Sequence, residues 1–251
     1  MTGITAIIPT RNEAHNIIDA IKSVNFADEI IIVDSFSTDK TIELAKPFAH
    51  KIIQREYENS ASQKNWAIPQ AQYPWIFLLD ADERVPSTLR DEIIETVKKD
   101  QGISGFWIKR QNYFMGKKIR FSGWQGDKVI RLFKRDNCRY ENKNVHAEII
   151  SKGEISSLRN KLTHNTYISK EEYQNKLKRY ARWQAQDYNK KTGRITPFHS
   201  VLKPSIRFLK HYIIQLGFLD GYVGLIISLY QAKAVAMRYK YLKEYRHANR
   251  N

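Results

Sequence analysis

The sequence predicts an α/β fold, in which helices flank a central, mostly parallel sheet and a C-terminal helical extension follows. Two observations carry this prediction. Short β-branched and apolar runs, typical of buried strands, alternate with stretches whose apolar residues recur at helical spacing. Beyond residue 169 the patterns are helical. Repeated strand–helix units favour parallel pairing, because the crossover helix returns the chain to the same end of the sheet.

The predicted elements follow one another in the first third of the chain. The strands are Ile4–Ile8, Glu29–Val33, Lys51–Gln54 and Trp75–Leu79. The helices are one capped by Asn12 and carrying Ile17, Ile18, Ile21 and Val24, one opened by Ser37–Asp39, and one over Ala61–Ile68. Pro9 ends the first strand, and Pro74 precedes the fourth.

Polar and acidic residues follow three of these strands. Pro9 and Thr10 come after the first, Asp34 after the second, and Asp80 and Asp82 after the fourth. Ligands of open α/β sheets bind beyond the carboxyl ends of the strands. These side chains are therefore predicted to share one rim and to form a binding site.

Asp80 and Asp82 are separated by one residue, so in an extended chain they face the same side. The spacing predicts that both converge on one hard divalent cation, Mg²⁺ or Mn²⁺, which keeps positions open for phosphate oxygens. A different interpretation is that the pair caps the next helix. Asp34 could likewise form an ordinary turn and cap with Ser37.

Two phosphate-binding fingerprints are missing from the sequence. It contains neither G-x-G-x-x-G nor G-x-x-x-x-G-K-[ST], which argues against dinucleotide oxidoreductases and P-loop NTPases. A nucleotide would therefore be held chiefly through a metal ion and side chains.

The positive charge is concentrated at the C-terminal end. The chain carries 42 Lys and Arg against 26 Asp and Glu, a net charge of +16. Residues 170–251 hold 17 basic and 5 acidic residues, so +12 of that excess lies there. Such a tail suits an anionic membrane surface or nucleic acid. The single Cys138 fits a reducing compartment, and no signal peptide is visible, so we expect a cytoplasmic protein.

The C-terminal region is predicted to be helical and interfacial. A helix starts near Ser169 and continues through Tyr188, and Thr196-Pro197 and Lys203-Pro204 are expected to interrupt the chain. Residues 212–230 are apolar but include Asp220, whose burial at mid-bilayer would cost roughly 2.5–3.5 kcal/mol. Peripheral docking is therefore favoured over spanning, and a helical hairpin packed on protein is the alternative.

Four motifs in order resemble the family 2 glycosyltransferases, which have a GT-A fold. They are Ile8–Glu13, Val33–Asp39, Gln63–Asn65 and Leu79–Glu83. The resemblance implies a nucleobase and ribose pocket lined by Pro9, Thr10, Glu13 and Asp34. It also implies that Lys64 approaches the donor, that Asp80 reaches the ribose, and that Asp82 binds the metal and the diphosphate.

Later segments look like the subgroup that contains lipopolysaccharide-core β-glucosyltransferases. They are Gly123-Trp124 with Asp127–Lys134, Val145–Glu148 and Leu162–Tyr167. The subgroup has Val-His-Glu where this chain has Val-His-Ala-Glu, so Glu148 or His146 could occupy the family position.

Sugar transfer needs a base for the acceptor hydroxyl and positive charge for the leaving diphosphate. Glu148 is the first candidate for the base, followed by Asp127 and Glu83. Candidates to stabilise the leaving group are His164, which could also be a metal ligand, Lys176 and Arg179. Trp107, Tyr113 and Trp124 either stack on sugar or pack in the protein.

The sequence thus predicts an inverting, metal-dependent glycosyltransferase of hexosyltransferase type. Its partners would be a nucleotide-sugar donor, with UDP favoured, a lipid-linked or lipopolysaccharide-core-type acceptor and the inner face of the cell membrane. Residues 1–168 would form the catalytic domain, with a nucleotide-sugar half (1–100) and an acceptor half (101–168), and residues 169–251 the membrane-associated region. A non-enzymatic nucleic-acid-binding protein is the alternative.

Overall fold

The computed structural model describes residues 2–143, 147–167 and 169–249, and for Glu172 the backbone alone. The strands in these residues are β1 Ile4–Thr10, β2 Glu29–Asp34, β3 Lys51–Gln54, β4 Trp75–Leu78, β5 Glu83–Arg84, β6 Gly105–Phe114, β7 Lys117–Lys118, β8 Lys128–Lys134, β9 Cys138–Tyr140, β10 Ile149–Ser151, β11 Ile155–Ser157 and β12 Leu162–Tyr167. The α-helices are α1 Ile17–Ser23, α2 Thr41–Ala45, α3 Ser60–Ala67, α4 Ser87–Lys99, α5 Lys170–Asn189, α6 Lys203–Leu209 and α7 Gly221–Ala248.

The main sheet is mixed, with its parallel part built from the first four strands. Its order is β3-β2-β1-β4-β8-β6-β12-β5, and β7 and β11 pair with β6. The pairs β2–β3, β1–β2 and β1–β4 are parallel, whereas β8 runs antiparallel to both β4 and β6. The carboxyl ends of β1, β2 and β4 therefore meet at one edge, as the strand–helix pattern predicts.

Burial on both faces explains why β1, β2 and β4 read as continuous apolar runs. Ile4, Ala6 and Ile8 of β1 join one core cluster, and Ile7 joins the cluster on the other face. Strand β4 is divided in the same way. Side chains that alternate between two buried faces fix the register, because a slip by one residue would exchange the two cores.

The chain divides into two compact units. The first consists of Met1–Gln111 and Asp127–His164, and the second of Asn112–Gly126 and Asn165–Asn251. The main core clusters of the first unit lie on the two faces of its sheet. In the second unit Phe114, Tyr173 and Val223 share a core, against which Trp124 packs with its ring centroid 6.2 Å from that of Phe114. Trp124 thus packs against other side chains of the second unit, and its stacking on a sugar stays a prediction.

Helices dominate the second unit. Helix α5 confirms the predicted helix through Tyr188. Helical backbone runs from Phe198 to Ile214, with wider π-type winding before and after α6. The predicted interruption at Lys203-Pro204 is wrong, because Pro204 lies in the first turn of α6, where its missing N–H costs little.

The chain turns at Leu216, whose φ of 56° is left-handed, so residues 212–230 do not form one continuous helix. No single helix in the described ranges is long and apolar enough to cross a bilayer. Phe198–Ile214 and Gly217–Ala248 meet that criterion only as a pair, with a bend of 69° between them.

Candidate active site

The loops after β1 and β2 are joined by Asn12. Its φ is 56°, its backbone N–H donates to Ser37 Oγ (2.9 Å), and its Oδ1 accepts from the Thr38 N–H (2.8 Å). The prediction that Asn12 caps the first helix is therefore wrong, because α1 begins five residues later, at Ile17. Asn12 instead connects the two loops that follow the neighbouring strands β1 and β2.

Asp34 ends β2 and is fully buried. Its carboxylate accepts from Ser37 Oγ (2.5 Å), from the Ser37 N–H (3.0 Å) and from Gln54 Nε2 (2.9 Å). The two contacts with Ser37 are the ones that the turn interpretation predicts. A nucleobase or ribose contact for Asp34 stays a prediction, and its observed effect is to hold the turn after β2.

Two buried polar atoms at this edge have no hydrogen-bond partner among the described residues. They are Oγ1 of Thr10, at the end of β1, and Oε1 of Gln63, on α3. Ser35 lies between them, since its N–H donates to the Thr10 carbonyl (2.9 Å) and its Oγ accepts from Gln63 Nε2 (3.1 Å). Buried polar atoms are nearly always paired in native proteins. A bound ligand would supply the missing partners.

Pro9 and Glu13 lie at the same edge. Pro9 pairs with Val33 in the β1–β2 ladder. The Glu13 N–H donates to Thr41 Oγ1 (2.8 Å), and its Oε2 accepts from Asn16 Nδ2 (2.8 Å). The structure thus brings these two predicted donor-site residues to the rim that carries Thr10 and Asp34.

Helix α3 contacts two further parts of the first unit through adjacent side chains. Lys64 is buried, and its Nζ lies 3.3 Å from Asp80 Oδ1 and 5.2 Å from the ring centroid of Tyr140. Asn65 exchanges two 2.8 Å hydrogen bonds with the backbone of Tyr140. Lys64, which was predicted to bind the sugar donor, is therefore held next to Asp80 by a buried ion pair.

Asp80 and Asp82 have different partners. Asp80 pairs with Lys64 and with Arg131, whereas Asp82 Oδ2 lies 3.3 Å from His164 Nε2. The premise that Asp80 and Asp82 lie in an extended chain is wrong, because β4 ends at Leu78 and Ala81 and Asp82 form a turn. Their convergence on one cation stays a prediction. Asp82 remains as the carboxylate that could hold a cation.

A buried ionic network surrounds Asp80. Arg131 contacts Asp80 and donates to Glu83 Oε1 (2.7 Å), and Arg110 lies 3.4 Å from the same Glu83 oxygen. Arg110 also binds Asp127 with two parallel hydrogen bonds of 2.9 and 2.7 Å. With Lys64, the network holds three carboxylates and three cations, so its charges balance.

Burial alone would raise the pKa of the Asp80 carboxyl, but the charges of Arg131 and Lys64 hold that pKa far below its usual value. Burial would lower the pKa of Arg131, yet Asp80 and Glu83 raise it well above the usual value. Both partners therefore stay ionised, and the negative charge of Asp80 is already neutralised by protein.

Glu83 is not available as the base, because no acceptor hydroxyl can reach its carboxylate. Its side chain is fully buried and bound by two arginines. Asp127 is partly exposed, but both of its oxygens accept from Arg110. An arginine fork on both oxygens leaves little basicity for taking a proton from a hydroxyl.

Glu148 lies at the end of the β9–β10 ribbon, one residue before Ile149, which pairs with Tyr140. It is exposed, and its N–H donates to Glu141 Oε2 (3.2 Å). Tyr140 contacts Lys64 and Asn65, so the ribbon joins Glu148 to the Lys64–Asp80 pair. His146, the alternative at this position, lies outside the described residues.

Asp82 and His164 fit a divalent cation as a pair of ligands. Strand β12 places His164 opposite Glu83 in its ladder with β5, which brings the imidazole next to Asp82. The described residues contain no group of three or more His, Cys, Asp and Glu side chains placed to hold a metal. Mg²⁺ and related ions commonly use one or two protein ligands plus phosphate oxygens, so a two-residue site fits an ion that binds together with a diphosphate.

Lys176 and Arg179 belong to α5 in the second unit. Lys176 Nζ lies 4.9 Å from the ring centroid of Tyr167, and the Arg179 guanidinium lies 5.7 Å from that of Trp183. Their predicted assistance to the leaving group stays a prediction.

Sequence reasoning missed Arg110 and Arg131. A usable signal was present, because Arg131 interrupts the apolar run of β8. A charge in a strand buried on both faces requires a carboxylate partner, and the three carboxylates after β4 were the candidates.

A polar rim lies at the carboxyl ends of β1, β2 and β4. These strand ends fall within the part of the chain that a protein-family model matches. The model described as Glycosyl transferase family 2 matches residues 5–152, more than half of the chain. The chain belongs to glycosyl transferase family 2. The predictions of a GT-A fold and of glycosyltransferase activity are thereby confirmed, and the alternative of a non-enzymatic nucleic-acid-binding protein is set aside.

This glycosyltransferase has relatives of nearly its own length. It is 29% identical to an uncharacterized glycosyltransferase of Rickettsia typhi, over 100% of this chain and 90% of the relative. It is 27% identical to the lipopolysaccharide core biosynthesis glycosyltransferase LpsC of Rhizobium meliloti, over 94% and 93% of the two chains.

Solved structures also resemble the glycosyltransferase. The S. aureus TarS 1-349 structure with UDP covers 98% of this chain and 92% of its own, with 15% identity and a TM-score of 0.48. Glucosyl-3-phosphoglycerate synthase of Mycobacterium tuberculosis, solved with Mn²⁺, UDP and glucosyl-3-phosphoglycerate, covers 44% of each chain, with 21% identity and a TM-score of 0.38.

Proposed function

We propose that this glycosyltransferase moves a sugar, with inversion, from a nucleoside diphosphate donor to a glycan or glycolipid acceptor, using a divalent cation. The observation that carries the proposal is the Asp82–His164 pair, 3.3 Å apart, beside the Asp80 that Lys64 and Arg131 already neutralise. The carboxylate oxygen suits both Mg²⁺ and Mn²⁺, and the imidazole nitrogen favours Mn²⁺; a diphosphate would complete the coordination.

Support for a nucleotide at the neighbouring edge comes from Thr10 and Gln63. Both residues have a buried oxygen without a hydrogen-bond partner among the described residues. The Gln63 amide oxygen can accept a hydrogen bond, and the Thr10 hydroxyl can donate or accept one. A pyrimidine ring or a ribose offers the complementary groups, and a UDP-sugar is the donor we favour. The acceptor class follows the relative LpsC, whose name refers to the lipopolysaccharide core; we propose a lipid-linked or lipopolysaccharide-core-type acceptor of the cell envelope.

In the displacement, the acceptor oxygen forms a bond to the anomeric carbon as the bond from that carbon to the diphosphate breaks. The electron pair of the broken bond stays on the diphosphate, and the hydroxyl proton passes to a carboxylate. A cation at Asp82 and His164 would neutralise charge on the leaving diphosphate. Lys64 and Arg131 hold Asp80, two residues before Asp82, so these charges need no rearrangement during the reaction.

Glu148 is the base we propose. Its carboxylate has no hydrogen-bond or ion-pair partner among the described residues, so it is free to accept a proton. Asp127, held by Arg110 on both oxygens, is instead a structural member of the network.

We expect Glu148→Gln to retain donor binding and to lower the rate of transfer by at least ~10²-fold, since the amide is isosteric but cannot take a proton. Single-turnover transfer and nucleotide titration measure the two effects separately. Glu154→Gln, which changes an exposed carboxylate between β10 and β11, is the matched control and should transfer at a near-normal rate. Normal transfer by Glu148→Gln would show that Glu148 is not the base.

The donor is tested by thermal shift with UDP-, GDP- and dTDP-sugars, each with and without Mn²⁺. We expect one nucleotide class to raise the melting temperature, and Mn²⁺ to enlarge the rise, because a ligand that binds only the folded protein stabilises it. If no nucleotide sugar raises it under either condition, the proposed donor site is wrong.

A further inference from the structure

The second unit exposes a concentrated apolar surface. Among the described residues, 20 large hydrophobic side chains are exposed, and 11 of them lie between Phe198 and Tyr222. Single exposed hydrophobics are normal, whereas a contiguous group marks an interaction site. We call this group the apolar surface. It consists of Phe198, Val201, Leu202, Ile206, Leu209, Ile213, Ile214, Leu216, Phe218, Leu219 and Tyr222.

The apolar surface follows one face of the helical segment Phe198–Ile214. Exposed residues recur there at spacings of one, three and four, namely Val201, Leu202, Ile206, Leu209 and Ile213. Pro204 and His211, between them in sequence, are buried. This periodicity is that of a helix that packs one side against the protein and exposes an apolar side to the solvent. Beyond the turn, Phe218, Leu219 and Tyr222 continue the exposure, at 46%, 55% and 58%.

Positive charge accompanies the apolar surface. Between Asp187 and Glu244 the sequence contains ten Lys and Arg residues and one acidic residue, Asp220. The Asp220 carboxylate is already bound, since it accepts from the N–H groups of Arg120 and Phe121 (3.0 Å each) and from a serine hydroxyl. The basic residues near the apolar surface therefore have no acidic side chain to neutralise them within this stretch.

From the apolar face and its basic surroundings, we propose that the segment 198–222 docks on an anionic lipid surface, lying in the interface and not crossing it. Exposed Leu, Ile and Phe side chains enter the headgroup boundary, and Lys and Arg meet the lipid phosphates. The 69° bend and the bound Asp220 suit a segment that lies along the surface. This proposal is independent of the proposed chemistry.

Vesicle co-sedimentation of the full chain tests the proposal. We expect binding to phosphatidylcholine–phosphatidylglycerol vesicles, weak binding to phosphatidylcholine alone, and release at high salt, because surface charge is screened. Leu209→Ser with Ile213→Ser should weaken binding to the mixed vesicles by ~10-fold or more. The matched control, Phe48→Ser with Tyr57→Ser, removes two side chains of similar exposure from the first unit and should bind as the wild type does.

A charge variant gives a second reading that does not depend on the apolar substitutions. Arg207→Gln with Lys210→Gln should lower binding to the mixed vesicles by ~10-fold while leaving the melting temperature near that of the wild type. Absence of wild-type binding to anionic vesicles, or equal binding by all variants, would overturn the proposal. So would light scattering that shows a dimer which only Leu209→Ser with Ile213→Ser dissociates, because a second copy would then cover the apolar surface.

Discussion

Replacing Arg131 by methionine is expected to destabilise the protein by about 3–5 kcal/mol, since breaking a buried ion pair leaves uncompensated charge in the interior. Arg131 is 3% exposed and holds both Asp80 and the fully buried Glu83. Without it, Arg110, at 3.4 Å, is the one cation that the described residues leave next to Glu83, together with the Asp80 N–H that donates to Glu83 Oε2 (3.0 Å). Equilibrium denaturation followed by tryptophan fluorescence measures the loss.

Arg90→Met is the matched control for this prediction. Arg90 forms an ion pair with its neighbour Asp91 on the surface of α4, where both side chains are largely exposed. Such pairs contribute about 0–1 kcal/mol. If Arg131→Met costs no more than Arg90→Met, the buried network does not hold the site together.

Replacing Asp82 by asparagine is expected to lower turnover by about 10³-fold, because a metal ion contributes several kcal/mol of charge stabilisation to the transition state. The amide keeps the size of the side chain but loses the charge that holds the cation. Stability should change little, since Asp82 is 30% exposed and lies outside the Arg131 network. Transfer assays over a range of Mn²⁺ concentrations measure the effect.

Asp91→Asn is the control for Asp82→Asn, because it removes a carboxylate from the exposed face of α4 and should leave turnover unchanged. His164→Gln should weaken Mn²⁺ activation in the same direction as Asp82→Asn. Full activity of Asp82→Asn would remove the cation from the proposed site.

The parallel half of the sheet was predictable because its strands are buried on both faces. Strand β3 has the predicted bounds, Lys51–Gln54, and β4 ends one residue earlier than predicted, at Leu78. Runs of apolar residues between turn signals reflect that burial directly. The antiparallel strands beyond β4 are shorter or more polar, and their pairing depends on residues far apart in sequence.

The candidate site was predictable in its location but not in its contacts. Thr10, Asp34, Lys64 and Asp80 do gather at the predicted edge. Arg131, which binds Asp80, is 51 residues away in sequence, and no local sequence pattern connects the two residues. Asn12 was misread for a related reason, because its left-handed backbone is stabilised by contacts with Ser37 and Thr38, 25 and 26 residues further on.

The central claim is that Asp82 and His164 hold a cation that binds together with the nucleotide. Calorimetric titration of UDP into the wild type and Asp82→Asn, with and without Mn²⁺, tests it most directly. The account predicts that Mn²⁺ tightens UDP binding to the wild type by at least ~10-fold, or about 1.4 kcal/mol, and leaves binding to Asp82→Asn unchanged. An equal effect of Mn²⁺ on both proteins, or no effect on either, would contradict it.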